Sequence, residues 1–385
     1  MRIGRALRHS GPVPDSGDGS TSKSVRVLVV HPSDELYGAD RVLLEALRAI
    51  PEGTEIEVWL PDDLDYPERR LTRALVADGR AVHRMPLPVL RRAYLSPRHA
   101  LRHLRRLSAT SRAIRKSAPD VVYVNTAALA LVLLLAKLHG ARTILHLHEH
   151  TDGLERRVLG ILFRAADRII VVSEAVGSTL GRTVKKRSSV VYNGFDAPPP
   201  VPAPEEGPLV FVLASRWNSW KGHEFFLTAW SRLQRTDVRL LILGAPPAVG
   251  ESVDVVGIVA RLPNRDTVEI LGERSDVRSV LDVAHVVVVP STKPDPLPTI
   301  ALEAAGAGRA ALVSRSGGLP EIVLEGITGW TIEAGRVEEW TRAIESLDRT
   351  SAGTLGRSAR ERYRATFSRS EFARRFGAEF EAFVA

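Results

Sequence analysis

The sequence predicts an α/β chain of two Rossmann-like, doubly wound domains facing across a cleft, and three observations carry that expectation. Short apolar runs such as Val25–Val30, Val121–Val124, Leu209–Leu213 and Val286–Val289 alternate with helix-length segments. Uninterrupted apolar runs are what a parallel sheet covered on both faces demands. The alternation occurs twice, interrupted by the Pro-rich stretch Ala197–Pro208, and 385 residues exceed what one hydrophobic core usually serves.

Residues 1–23 are rich in Gly, Ser, Pro and Asp and are expected to be disordered; they lack the apolar centre of a secretory signal. The first domain is expected over 24–197, opening with the strand Val25–Val30, the loop HPSDELYG and an amphipathic helix Ala39–Ile50. Gly38, just before that helix, is a place where a ligand phosphate could approach the backbone closely. Further strands are predicted at Glu55–Leu60, Val121–Val124, Thr143–Leu147, Arg168–Val172 and Val190–Tyr192, with a buried helix over the apolar run Ala127–Ala136. That run is too short to span a bilayer, which takes about 20 residues.

Residues 198–208 read as a stiff, extended linker. The second domain, 209–367, repeats the pattern: strand Leu209–Leu213, loop Ser215–Lys221, aromatic-rich helix Gly222–Arg235, and strands at Arg239–Leu243, Val268–Leu271, His285–Val289 and Ala310–Val313. Three helical stretches close the chain, the last placing Phe372, Phe376, Phe380 and Phe383 on one face, a stripe that must pack on something. Residues 368–385 are assigned to the first domain.

With 44% hydrophobic and 25% charged residues the composition is that of a globular protein, and the absence of cysteine excludes disulfides and thiolate chemistry. The net charge of +8 favours anionic partners. Its local source is Arg91–Lys116, with nine Arg or Lys and no acid, which suits a solvated helix face or peripheral contact with an anionic membrane. Aromatics do not interleave with this run beyond Tyr94, which argues against nucleic acid. Cytoplasmic localisation, with attachment at the inner membrane face, is the expectation.

The stretch Val286–Glu321 concentrates the candidate chemistry, because ligands of such sheets sit at strand carboxyl ends, where helix N-termini offer N–H groups. Asp295 lies in its loop, placed to accept from sugar hydroxyls or to cap the turn, and Glu303 follows in the helix, placed to accept two vicinal hydroxyls such as those of a ribose or to favour the helix dipole. Arg216 and Lys221, across the loop Ser215–Gly222, would converge on a diphosphate. His148 stands in HLHEH at a strand end, where alternating histidines could also bind metal, although no other ligand cluster supports that. The Asp62-Asp63-Leu64-Asp65 pattern is assigned to a solvent turn.

These residues together resemble glycosyltransferase family 4, the retaining enzymes of GT-B fold, from about Val25 to Phe383. The pattern Asp295-PLPTIAL-Glu303-AAGAG is similar to the family's paired acids, and Ser215-Arg216 through Lys221-Gly222 to its phosphate loop. LYGADR at 36–41, VSEAV at 172–176, YNGFD at 192–196, LGERSDV at 271–277 and SGGLPEIV at 316–323 fall in the family order. The resemblance implies that Arg216 and Lys221 hold the donor diphosphate, Glu303 the ribose, and Asp295 with the backbone of Pro296, Leu297, Pro298 and Thr299 the transferred sugar. It implies His148 near that sugar, Gly38 beside the diphosphate, Leu271 and Arg274 beside the base, and the last helix crossing back to the first domain.

A metal-free hexosyl transfer from a UDP- or GDP-sugar co-substrate, with no cofactor, follows from the resemblance, the acceptor being carbohydrate, lipid-linked or a small molecule. The chain departs from the family at Asp295, where Glu is usual, at Leu297-Pro298 in place of aromatic-Gly, and at Ser215 in place of Gly. A nucleotide-sugar epimerase of the same fold and a non-catalytic sugar-binding module are the alternatives.

Overall fold

Two parallel sheets, each wound in both directions from a central strand, organise the computed structural model, which describes residues 24–91, 100–247 and 251–385. The first sheet contains β1 (Arg26–Val30), β2 (Glu55–Pro61), β3 (Ala81–Met85), β4 (Val121–Val124), β5 (Arg142–Leu147), β6 (Arg168–Val171) and β7 (Ser188–Val190). Its order is β3-β2-β1-β4-β5-β6-β7, every neighbouring pair parallel. The connecting helices are α1 (Gly38–Ala49), α2 (Arg70–Ala77), α3 (Ala100–Ser117), α4 (Leu131–Leu138), α5 (Gly153–Leu162), α6 (Glu174–Ser178) and α7 (Arg182–Lys185).

The second sheet contains β8 (Leu209–Ala214), β9 (Val238–Leu243), β10 (Val268–Gly272), β11 (Val286–Val289), β12 (Ala310–Ser314) and β13 (Gly329–Ile332), in the order β10-β9-β8-β11-β12-β13. It is again all parallel. Its helices are α8 (His223–Trp230), α9 (Val255–Ala260), α10 (Val277–Val283), α11 (Thr299–Gly306), α12 (Leu319–Ile322) and α13 (Val337–Ser346), followed by α14 (Arg349–Thr366) and α15 (Arg369–Val384). In both sheets the winding direction reverses between the first and fourth strands, so the switch points lie at β1/β4 and β8/β11. Strand carboxyl ends at such points are where this fold places ligands.

The chain passes between the halves twice, side by side. Phe195 bridges to Ser368, Arg369 N–H donates to the Phe195 carbonyl at 2.9 Å, and the Tyr363 hydroxyl donates to the same carbonyl. After that crossing α15 packs on α1 and buries Phe372, Phe376, Phe380 and Phe383.

Several element boundaries differ from the sequence expectation for local reasons. The apolar run 127–136 splits into a 3-10 turn at Ala127–Leu129 and α4, because Thr126 Oγ1 accepts the Ala128 N–H and caps a separate turn. The aromatic helix ends at Trp230, whose carbonyl accepts from Asn264 Nδ2 at 2.8 Å. The strand expected at Val190–Tyr192 lies at Ser188–Val190, an edge strand whose half-buried residues tolerate serine. The edge strands β3 and β13 were absent from the sequence expectation. Residues 1–23 lie outside the described residues, as does 92–99 of the basic run.

Candidate active site in the interdomain cleft

The second half of the site is assembled by close backbone approach. Gly222 adopts φ +80°, and a Cβ there would fall 1.8 Å from the Pro290 carbonyl oxygen, so only glycine brings the β8 loop against the β11 loop. Lys221 Nζ consequently lies 2.6 Å from Asp295 Oδ2, which also accepts from Ser291 Oγ at 3.2 Å. Gly317, φ +59°, backs the same loop: its Cβ would meet the Asp295 carbonyl oxygen at 2.2 Å. The chain then enters α11 at Thr299, with Glu303 in its second turn. Pro296 and Pro298 carry no N–H, so of residues 296–299 only Leu297 and Thr299 have a backbone N–H to donate. The Leu297 side chain is buried in the core.

The first half is a buried hydrogen-bond chain at the carboxyl ends of β1, β4 and β5. Asp40 accepts from His31 Nε2 at 2.5 Å, Ser33 Oγ at 2.5 Å and the Tyr37 N–H at 2.8 Å. Burial alone would raise its pKa, but these donors outweigh it and hold the carboxyl below the usual range. Asn125 Nδ2 donates to His31 Nδ1 at 2.9 Å, and His148 Nε2 donates to Asn125 Oδ1 at 2.8 Å. The amide thereby fixes both ring tautomers. Burial, with His31 next, pushes the His148 imidazole down to about 3, so it is neutral at ordinary pH and cannot act there as a general acid. Beneath it His146 bonds Tyr123 Oη at 2.7 Å and packs against Phe376 of α15.

The two halves meet across the cleft. A Cβ on Gly38 would lie 3.4 Å from Thr299 Cγ2, so the N-termini of α1 and α11 oppose one another. Arg216 stacks over the Tyr37 ring at 3.6 Å and donates to Glu35 at 2.9 Å; Tyr37 Oη donates to Glu273 at 2.6 Å; Arg41 donates to Glu303 at 2.6 Å. Glu321 accepts from the backbone N–H groups of Glu174 and Ala175, each at 2.8 Å. Arg216, Lys221, Asp295, Thr299, Glu303 and Gly38 are thus brought to one cleft, and His148 lines the first sheet's side of it. Leu271 is half-buried, whereas Arg274 pairs with Asp276 at 2.9 Å in its own loop; from that segment it is Glu273 that crosses to the first half. His31, Glu35, Tyr37, Asp40, Arg41 and Asn125 were not singled out as site residues, although His31 and Asn125 follow apolar runs as strand-end residues do and the other four lie in the segment ELYGADR.

Asp63 lies against Arg91 at 2.6 Å with its side chain 1% exposed, and Asp62 pairs with Arg106 at 2.7 Å. The acidic turn is therefore neutralised by the basic run, and among the described residues no three His, Asp or Glu are grouped to hold a metal ion.

The model of Glycosyltransferase Family 4 matches residues 38–197, and that of Glycosyl transferases group 1 matches 208–349. The D-inositol 3-phosphate glycosyltransferase of Mycobacterium sp. strain KMS is 30% identical over 222 residues, 53% of this chain and 49% of that protein. Its counterpart in Mycobacterium tuberculosis strain ATCC 25177 / H37Ra is 30% identical over 233 residues, 57% and 45% of the two chains. The chain thus spans about half the length of the curated relatives it matches. Anabaena HepE in complex with UDP-glucose superposes with a TM-score of 0.77 at 21% identity, covering 93% of this chain and 99% of that one. Sucrose-phosphate synthase of Thermosynechococcus elongatus gives 0.75 at 19%, covering 94% and 99%. Matched in both halves, and with two doubly wound sheets opposed as in those GT-B structures, the chain belongs to glycosyltransferase family 4.

Proposed function

We propose that this protein transfers a hexose, with retention, from a UDP- or GDP-linked sugar to a hydroxyl of a carbohydrate, lipid-linked or small-molecule acceptor. The observation that carries the reading is the meeting of Arg216, Lys221 and Glu303 with the opposed N-termini of α1 and α11 at two facing switch points. A pyrophosphate suits fixed positive charge and free N–H groups, and Glu303 suits a ribose diol. In this structure Arg216 holds the Glu35 carboxylate and Glu303 holds Arg41, so donor binding exchanges these partners for phosphate and ribose oxygens. In the transfer the bond from the sugar's anomeric carbon to phosphate breaks and its electron pair leaves on the nucleoside diphosphate. The acceptor oxygen bonds that carbon from the same face, and its proton passes to the departing phosphate oxygen. Arg216 and Lys221 stabilise the developing charge without a divalent ion.

Anabaena HepE was crystallised with UDP-glucose, which makes UDP-sugars the first donors to test, with GDP-sugars beside them. Thermal-shift titration should raise the melting temperature with one donor class, because a ligand bound only to the folded state stabilises it. Release of nucleoside diphosphate should then require an acceptor and survive EDTA. Conversion of the donor to a sugar isomer without acceptor would instead establish the epimerase reading. Binding of free sugar but no nucleotide would establish the sugar-binding module.

A further inference from the structure

The helices α3, α4 and α5 lie side by side on the face of the first sheet opposite α1 and α15. On α5, Leu154 (75% exposed), Val158 and Ile161 fall at helical spacing i, i+4, i+7 and all face solvent. Neighbouring α4 exposes Leu134 and Leu138 (72%), and α3 exposes Leu101 (70%) and Leu104. These seven are more than half of the 13 large apolar residues exposed among the described residues, so the apolar surface is concentrated on one face.

Positive charge surrounds it. Arg105, Arg112, Arg115 and Lys116 are exposed on α3, and Arg156 and Arg157 on α5, while Glu155 is the one acid in the three helices. A second copy of the chain would set arginine against arginine across a two-fold contact. Single-stranded nucleic acid would find aliphatic side chains where base stacking needs aromatic ones. An anionic bilayer satisfies both halves of the pattern, taking the aliphatic stripe at the acyl boundary and the guanidinium groups at lipid phosphates.

We infer that the α3–α4–α5 face docks this protein on an anionic membrane surface. Leu154, in the first turn of α5, stands four residues beyond His150 in the loop that follows β5, so the docked face reaches the rim of the cleft. Resting on the transferase reading, this assigns the acceptor to the class of lipid-borne hydroxyl compounds presented at the membrane.

The test is co-sedimentation of the full chain with phosphatidylglycerol-rich vesicles and with pure phosphatidylcholine vesicles, over rising salt. Binding should appear only with the anionic vesicles and weaken as salt screens it. The double variant Arg156→Gln/Arg157→Gln should lower the partition coefficient by about fivefold per charge removed at low salt. Leu154→Glu/Val158→Glu should abolish binding at every salt concentration. Both variants should keep the parent melting temperature, since these side chains face solvent.

Equal binding to both vesicle types, no binding to either, or a salt-resistant dimer dissolved by the Leu154/Val158 variant would overturn the inference, the last showing the face to be a contact between copies. Sedimentation needs no donor, so it can fail while nucleotide-sugar turnover stands, and it can succeed while that turnover fails.

Discussion

The two switch points are built from opposite materials. At the first, Asp40, His31 and Asn125 are buried and joined with His148 in one unbroken hydrogen-bond chain that terminates at the Asp40 carboxylate. At the second, Arg216, Lys221, Asp295 and Glu303 are charged, and among the described residues Arg216 and Glu303 find their ion-pair partners across the cleft. A buried, satisfied network fixes geometry, because each member costs energy if its partner moves. The partly exposed pairs Arg216–Glu35 and Arg41–Glu303 are cheap to exchange, which suits groups that must release one another when a ligand arrives, whereas Lys221–Asp295 is largely buried. The first half therefore positions and the second half binds, and four experiments set the two against each other.

The largest effect should come from the binding half. Lys221→Ala removes a charge placed for the leaving group and should lower turnover by about 10²- to 10³-fold, the usual cost of losing one such donor. Asp295, whose side chain is 6% exposed, keeps only the Ser291 hydroxyl among the described residues when Lys221 is removed, so a loss of stability should accompany the loss of turnover and is read separately by thermal denaturation. Steady-state kinetics beside the wild type checks it. An unchanged kcat would move leaving-group stabilisation to Arg216 and break the assignment of Lys221.

Asn125→Ala should do the reverse. It strips partners from His31 Nδ1, His148 Nε2 and the Tyr123 hydroxyl together, and leaving such buried groups unpaired should cost about 2 to 4 kcal/mol of stability. Chemical denaturation measures this. Nucleotide binding, which belongs to the other half, should be nearly unaffected. A variant as stable as the parent would show that the network is not what holds this switch point.

What the sequence made legible, and what it hid, follows the same division. Apolar runs mark central strands because such strands are buried on both faces, so the carboxyl ends carrying Arg216, Asp295, Asn125 and His148 could be located from residue order. The edge strands β3 and β13 are half-exposed and mix polar with apolar residues, so their runs are broken. The cleft partners Arg41 and Glu303 stand 262 residues apart, and Arg216 and Glu35 181, distances over which no local pattern reports a contact. The acids Asp62 and Asp63 and the basic run looked like two features, yet Arg106 and Arg91 of that run are their partners. A pairing between a loop and a helix is a tertiary fact.

Acid sharpens the comparison further. Burial holds His148 at about 3, and burial with Lys221 holds His223 at about 4, both below the ordinary 6.5. The unfolded chain therefore takes up these protons first, so the stability from burying neutral rings is whole above pH 6.5 and is lost as pH falls. Each ring should cost roughly 1.4 kcal/mol per pH unit between about 6.5 and its folded value. Scanning calorimetry between neutrality and pH 5 should show the melting temperature falling steadily. A flat profile would mean that both rings can charge in the folded state, and His148 would no longer be a neutral donor to Asn125.

The smallest effect addresses the exchange of partners directly. Among the described residues Glu35 accepts from Arg216 alone, so Glu35→Gln keeps the size of the side chain while removing the anion that competes with a diphosphate for that guanidinium. Both partners are more than a third exposed, which limits the pair to about 1 kcal/mol or less and the gain in nucleotide affinity to about fivefold or less. The gain should appear in the dissociation constant of the nucleoside diphosphate, shrink with added salt, and leave kcat nearly unchanged, since Glu35 is given no part in the proposed transfer step. A loss of affinity would mean that Glu35 orients Arg216 toward the ligand rather than occupying it, and the cleft pairs would then be scaffolding like the buried chain opposite.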